Sequence, residues 1–197
     1  MSRFPVERIK FSKNQKSMIS ILSDQVIVCK THYDEDLGNF LCFGGACCDS
    51  DLAKVRYVYP IIRYSTGPKG IPIVNRDDKG KAVSPVYDVT CMALSVGSDV
   101  YQTLLDIQEL KGSLTQFDYL ITCTDDKYQK ITVQEAGEAR YRKDKNIVST
   151  INEFWKENSK HILKAIARKV TPEQYETKQA ADSSATQSVD FDEVFSK

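Results

Sequence analysis

Val86-Tyr-Asp-Val-Thr-Cys-Met-Ala-Leu94, then Ser98-Asp99-Val-Tyr-Gln-Thr-Leu104-Leu-Asp-Ile-Gln-Glu-Leu110, then Tyr119-Leu-Ile-Thr-Cys-Thr124 set the order of elements in this chain of 197 residues. The first and third runs are apolar and rich in β-branched or aromatic residues over the length of a strand. The middle run places Val100, Leu104, Leu105, Ile107 and Leu110 close to the 3.6-residue period of one helix face. Ser98-Asp99 can cap its start and Gly112 can end it, which predicts a helix over 99–111. A strand, a single helix and a strand therefore follow one another.

Working outward, Met18–Leu22 and Val26–His32 are short strand-like runs broken at a Ser23-Asp24 turn. Asp34–Asn39 reads as a polar loop, and Phe40–Phe43 as a strand before Gly44-Gly45. Val55–Tyr64 is the clearest strand, with Tyr57, Tyr59 and Ile61 on one face and Arg56, Val58, Ile62 and Tyr64 on the other. Pro60 within it argues for an edge position or a bulge. Residues 65–82 are rich in turn formers and in Lys and Arg, with a ribbon around Ile71–Val74. Beyond the helix, Tyr119–Thr124 and Lys130–Val133 form a hairpin across Asp125-Asp126-Lys127.

Three strands, a helix and two strands within about 120 residues match a five-stranded Greek-key barrel of the OB type, which places its helix between the third and fourth strands. A mixed α+β sheet gives a similar string. The fold class is mainly β with added helices (α+β). Asn146–Glu157 and Lys160–Val170 have amphipathic helical patterns suited to packing on the barrel. Thr171-Pro172-Glu173 is a good helix start. From Gln179 the chain is poor in apolar residues and reads as disordered. The organisation is a basic arm at 1–17, the barrel at 18–142, a helical extension at 143–180 and an acidic tail at 181–197.

The formal net charge of zero conceals an uneven distribution. Residues 171–197 hold six acids against two lysines, a net −4; the other 170 residues hold 25 basic and 21 acidic side chains, a net +4. The arm carries Arg3, Arg8, Lys10, Lys13 and Lys16 against Glu7. A basic body with an acidic tail suits a partner such as nucleic acid. No apolar run reaches the roughly 18 residues of a membrane span. The N-terminus lacks the apolar stretch of a secretory signal, so a cytoplasmic location is expected. No P-loop, G-x-G-x-x-G, nucleophile elbow or H-E-x-x-H occurs, and the chain reads as non-catalytic.

Four of the six cysteines and one of the two histidines fall between residues 29 and 48: Cys29, His32, Cys42, Cys47 and Cys48. In a reducing compartment such clusters point to metal or free thiols rather than disulfides. Thiolate and imidazole suit a structural zinc, which takes four of them. His32, Cys42, Cys47 and Cys48 are the favoured set, with Cys29 as substitute. Cys91 and Cys123 sit in apolar strand patterns as small buried side chains.

Rings that stack on bases and cations that meet phosphates are interleaved nearby. The candidates are Phe43, Arg56, Tyr57, Tyr59, Arg63, Tyr64, Arg76, Lys79, Lys81, Tyr87, Lys127, Tyr128 and Lys130. The C-terminal Asp190-Phe191-Asp192-Glu193-Val-Phe195 joins acids to ring anchors and suits docking to partner proteins.

His32…Cys42-Phe-Gly-Gly-Ala-Cys47-Cys48 followed by Arg56-Tyr57-Val-Tyr59-Pro-Ile, with a barrel-like body and an acidic tail, resembles the single-stranded-DNA-binding proteins of tailed bacteriophages. In layout the likeness spans most of the chain, but its motifs cover only about residues 29–64. It implies an OB fold whose zinc is held by one His and three Cys, here His32, Cys42, Cys47 and Cys48. It also implies coating of single-stranded DNA in replication, recombination or repair, in a bacterial host cytoplasm. Cooperative self-association would run through the basic arm, and partner enzymes would be recruited through the tail. The chain departs from that family in its cysteine spacing and in the adjacent Cys47-Cys48. A reading from another class is a zinc-stabilised adaptor that docks replication or transcription proteins without touching DNA.

Overall fold

The computed structural model describes residues 6–43, 53–125 and 130–176. In chain order the elements are β1 (Glu7–Arg8), β2 (Lys16–Ile21), β3 (Ile27–Asp34), β4 (Gly38–Leu41), β5 (Lys54–Tyr64), β6 (Val74–Arg76), β7 (Ala82–Tyr87) and β8 (Val89–Val96). They continue with α1 (Ser98–Lys111), β9 (Phe117–Cys123), β10 (Ile131–Glu138), α2 (Lys145–Asn158) and α3 (Ile162–Ile166). The principal sheet runs β1-β8-β5-β2-β9-β10, with β3 and β4 branching from β5, and β6-β7 forms a separate hairpin. The architecture is α+β around a strand-rich sheet.

β5 organises this sheet. Along one edge β8 pairs with it from Tyr57↔Val96 to Tyr64↔Val89. Its other edge is shared, by β3 at residues 54–58 and by β2 at residues 61–63, so β2 and β3 act as one bent strand opened between them. Pro60 lies at this fork, and its carbonyl accepts from the Leu22 amide at 3.0 Å. A strand residue points its N and its carbonyl to the same side. The N–H that proline lacks therefore falls where the ladder is already interrupted. Proline here marks a fork inside the sheet, where the sequence called for an edge position or a bulge.

Both faces of β5 are buried. Tyr59 and Ile61 pack with Ile19, Ile21, Leu94, Tyr119 and Ile121 under Leu104 of α1. On the opposite face Ile62 and Tyr64 pack with Met18 and with Ile147 and Ile151 of α2, and Val58 and Ala93 with Ile162 and Ile166 of α3. Helices therefore cover the sheet on two sides, and the expected barrel does not close. Among the described residues β10 does not pair with β8; the outer edge of β8 is taken by β1, in parallel, at Glu7↔Met92 and Arg8↔Ala93. The cause lies in Val6 and Ile9, both buried. Burying each side chain contributes about 1.5–3 kcal/mol, which a free arm forfeits. Residues 6–9 of the basic arm are thus packed into the sheet rather than preceding it.

The predicted helix matches α1, and Gly112 at φ 83° supplies the left-handed cap that ends it. The strand expected at 86–94 is instead divided at Asp88 between β7 and β8. The helix expected over Lys160–Val170 contracts to α3. Arg168 instead runs along β4, its amide donating to Asn39 O at 3.1 Å while its carbonyl accepts from Leu41 N at 3.0 Å. An open strand edge offers backbone partners that compete with the last helical turn.

Asp144 fastens α2 to the β7 strand. Its carboxylate accepts from the Asn146 and Ile147 amides at the helix start, from the Val86 amide at 2.8 Å and from the Ser84 hydroxyl at 2.9 Å. The Val86 amide, helped by Ser84 and the helix amides, holds this carboxyl below its ordinary range despite burial. Asp144→Ala is expected to cost about 2 kcal/mol, since it removes a helix cap and a strand tether together. A carboxyl lowered by folding stabilises above its unfolded value, near ~3.9, and loses that contribution as pH falls through the folded value. Urea titrations of wild type and Asp144→Asn should therefore differ at pH 7 and converge below about pH 4.

Candidate nucleic-acid interface

The ring and cation candidates do not share one trough. Tyr59 and Tyr64 are each 1% exposed, in the cores on opposite faces of the sheet, and cannot stack on a base. Burial pushes the Tyr59 hydroxyl up to about 12 and raises that of Tyr64 as well. Tyr87 stands edge-on to Tyr64 at 5.6 Å. Tyr57 is half-buried, stacked on Tyr101 of α1 with centroids 3.8 Å apart, and Phe43 meets Tyr175 edge-on at 5.7 Å. Arg63 is half-buried near the far end of β5. Arg76, Lys79 and Lys81 are exposed on the separate β6-β7 hairpin. There Arg76 donates to Gly80 O at 2.7 Å, and the Asp77 carboxylate closes the turn through the Lys79 and Lys81 amides. Lys130 is exposed at the foot of β10. Lys127 and Tyr128 lie outside the described residues.

A different set comes together where β3 and β5 run out past β2. The register pairs Tyr33 with Asn39, Thr31 with Lys54, Cys29 with Arg56 and Arg8 with Ala93. Directly paired residues and alternate residues along a strand share a face. Tyr33, Lys54, Arg56 and Arg8 therefore form a row on the face that α3 covers further along. Tyr33 is 67% exposed, Lys54 and Arg8 are exposed and Arg56 is half-buried. Although its side chain is largely exposed, the Arg8 guanidinium is held below its usual value by partial desolvation and then by the positive charge of Arg56. None of the three cations forms an ion pair among the described residues. Like charges on one face repel, and an anion bound among them relieves that repulsion; arginine suits phosphate because its donors form a planar fork.

Of this row only Arg56 stands among the nucleic-acid candidates read from the sequence, which assigned Arg8 to the basic arm. Lys54 was legible, two positions before Arg56 on the same strand. Tyr33 and Arg8 were not, because their placement depends on pairings between distant segments.

The metal candidates divide. His32 is 5% exposed and stacks on Phe40 at 5.2 Å. Its Nε2 is buried without a hydrogen-bond partner, and burial, then the charge of Lys30, favours the neutral ring. The Cys42 amide donates to Lys30 O at 2.9 Å, which sets Cys42 opposite Lys30 and on the His32 face of the β3-β4 hairpin. The sulfur of Cys42, however, is disulfide-bonded, contrary to the expected thiolate. Cys29 cannot substitute: three positions from His32 on one strand, it points to the other face. Burial raises its thiol, opposed in part by Arg56. Among the described residues no three His, Cys, Asp or Glu side chains gather as a metal site; of the four expected ligands only His32 and Cys42 lie among those residues. Cys47, Cys48 and the tail residues Asp190, Phe191, Asp192, Glu193 and Phe195 lie outside the described residues. No helix among the described residues is long and apolar enough to cross a membrane.

No family model matches the chain, and neither the curated proteins nor the solved structures hold a significant match.

Proposed function

We propose that this chain binds single-stranded nucleic acid, sequence-tolerantly and without catalysis, in replication, recombination or repair of DNA. One observation carries the reading: Tyr33, Lys54, Arg56 and Arg8 lie on one sheet face, and among the described residues no carboxylate pairs with the cations. A ring supplies stacking to any base, and unpaired guanidinium groups supply phosphate contacts. The strand order β8-β5-β2-β9-β10, with α1 between β8 and β9, supports an OB-like ancestry opened at the β8 edge. The corresponding face of OB folds binds oligonucleotides. Recruitment of replication or recombination proteins is assigned to the acidic tail. A zinc enters this reading only with Cys42 reduced, when His32 and Cys42 would be two of its donors. Cooperative self-association is assigned to the basic arm outside residues 6–9, whose backbone and apolar side chains are already engaged in the sheet.

Titration of the full chain with fluorescent oligothymidine tests the proposal. Sub-micromolar binding that weakens steeply between about 50 and 200 mM salt is expected. Micromolar or salt-insensitive binding overturns it.

A further inference from the structure

We propose that the pocket between α2 and the fork of the sheet takes one nucleobase of a bound strand, with an adjoining phosphate on Arg142. The proposal rests on the single-strand reading above. The pocket measures about 550 Å³, within the range of small-ligand cavities. It arises because the bent strand opens between β2 and β3: Leu22, Ile27 and Pro60 form a floor at the fork, and α2 spans it. Ile27 and Pro60 share a face with Tyr33 and Arg56, being alternate residues of β3 and β5. From Ile27 to Tyr33 is six residues of strand, roughly 20 Å.

Three features favour a base over a plain hydrocarbon. The walls include the rings of Tyr141 and Trp155, and aromatic faces stack on any base. The indole Nε1 of Trp155 is buried with no hydrogen-bond partner. An unmet buried donor is unfavourable, and a base that draws the indole edge toward the pocket offers it an acceptor that an alkyl chain lacks. Arg142 completes the set. Its Nε donates to Thr115 O at 3.0 Å and its Nη2 to Thr115 Oγ1 at 2.9 Å, which fix the guanidinium beside the Tyr141 ring. Arg142 makes no ion pair among the described residues, so its charge is available to a phosphate.

Trp155 is the only tryptophan in the chain, so its emission reports on the pocket while anisotropy of a labelled oligothymidine reports on binding as a whole. With wild type, Trp155 quenching by unlabelled oligothymidine should follow the same saturation curve as the anisotropy. Val148→Phe, which fills the pocket from α2, should abolish the quench and weaken binding about tenfold, with unchanged far-ultraviolet circular dichroism. Arg142→Ala should weaken binding and lower the salt slope by about 0.7. An anisotropy rise with unaltered Trp155 emission, or a quench that survives Val148→Phe, overturns the pocket proposal alone. No anisotropy rise in wild type overturns the single-strand reading, and this proposal with it. If Val148→Phe does not fold, Arg142→Ala decides, an unchanged affinity and slope counting against the pocket.

Discussion

Asp118→Ala is expected to destabilise the protein by about 2–4 kcal/mol, because it strips a buried hydrogen-bond network of its acceptor and leaves a partly exposed guanidinium unpaired. Asp118 is fully buried on β9, in the seam between the sheet and the segment that leads into α2. Its Oδ2 accepts from Arg140 Nη1 at 2.6 Å and from the Arg140 amide at 3.3 Å. Its Oδ1 accepts from the Ser20 and Tyr64 hydroxyls, and the Tyr64 oxygen in turn accepts from the Tyr141 amide at 3.0 Å. Three parts of the chain (β2, β5 and the turn after β10) therefore meet on one carboxylate. Alanine leaves the guanidinium without its counter-charge and two hydroxyls without their acceptor. Tyr64→Phe is a smaller change, about 1–2 kcal/mol, because it removes one hydrogen-bonding group and leaves the ion pair. Urea unfolding followed by circular dichroism gives both values. A loss below about 1 kcal/mol for Asp118→Ala would mean that Arg140, partly exposed, turns to water at little cost.

This network illustrates what a sequence conceals. Nothing about Asp118 in Thr115-Gln-Phe-Asp118-Tyr119 distinguishes it from a surface acid; its burial follows from strands that pair across about 100 residues of chain. By contrast α1 was legible, since period, cap and terminating glycine are all local. β5 was legible as a strand and half-legible in its environment. Val58 and Ile62 on one face, with Tyr59 and Ile61 on the other, make a run apolar on both sides, which calls for cover on both. Read as a barrel strand, the same run misplaces Tyr64 at a binding surface when α2 covers it. The open barrel follows from residues 6–9, whose charges suggest an arm while Val6 and Ile9 are spaced to bury. Sequence reasoning found Arg56 because it looked for cations beside rings. It assigned Arg8 to a free basic arm, because only the β1-β8 pairing brings that residue onto the face of Arg56.

Replacing Arg8 and Arg56 together by alanine should lower affinity for oligothymidine by about 10- to 100-fold at moderate salt and flatten the dependence of log K on log salt by about 1.4. That slope is the informative quantity, because each phosphate neutralised on a single strand contributes roughly 0.7 to it. Arg8→Ala alone should change the slope by about half as much. It should not lower stability, since the pair repels in the free protein and neither cation holds a carboxylate among the described residues. A binding loss without a stability loss separates this site from Asp118, where the two fall together. Tyr33→Ala should weaken binding by a comparable factor and leave the slope unchanged, because a stacked base carries no counterion release. Lys79→Ala, on the separate hairpin, serves as the control for general positive charge. If the Arg8/Arg56 variant keeps the wild-type slope while Lys79→Ala loses it, phosphates travel along the hairpin, and the row on the sheet is a structural feature with no ligand of its own.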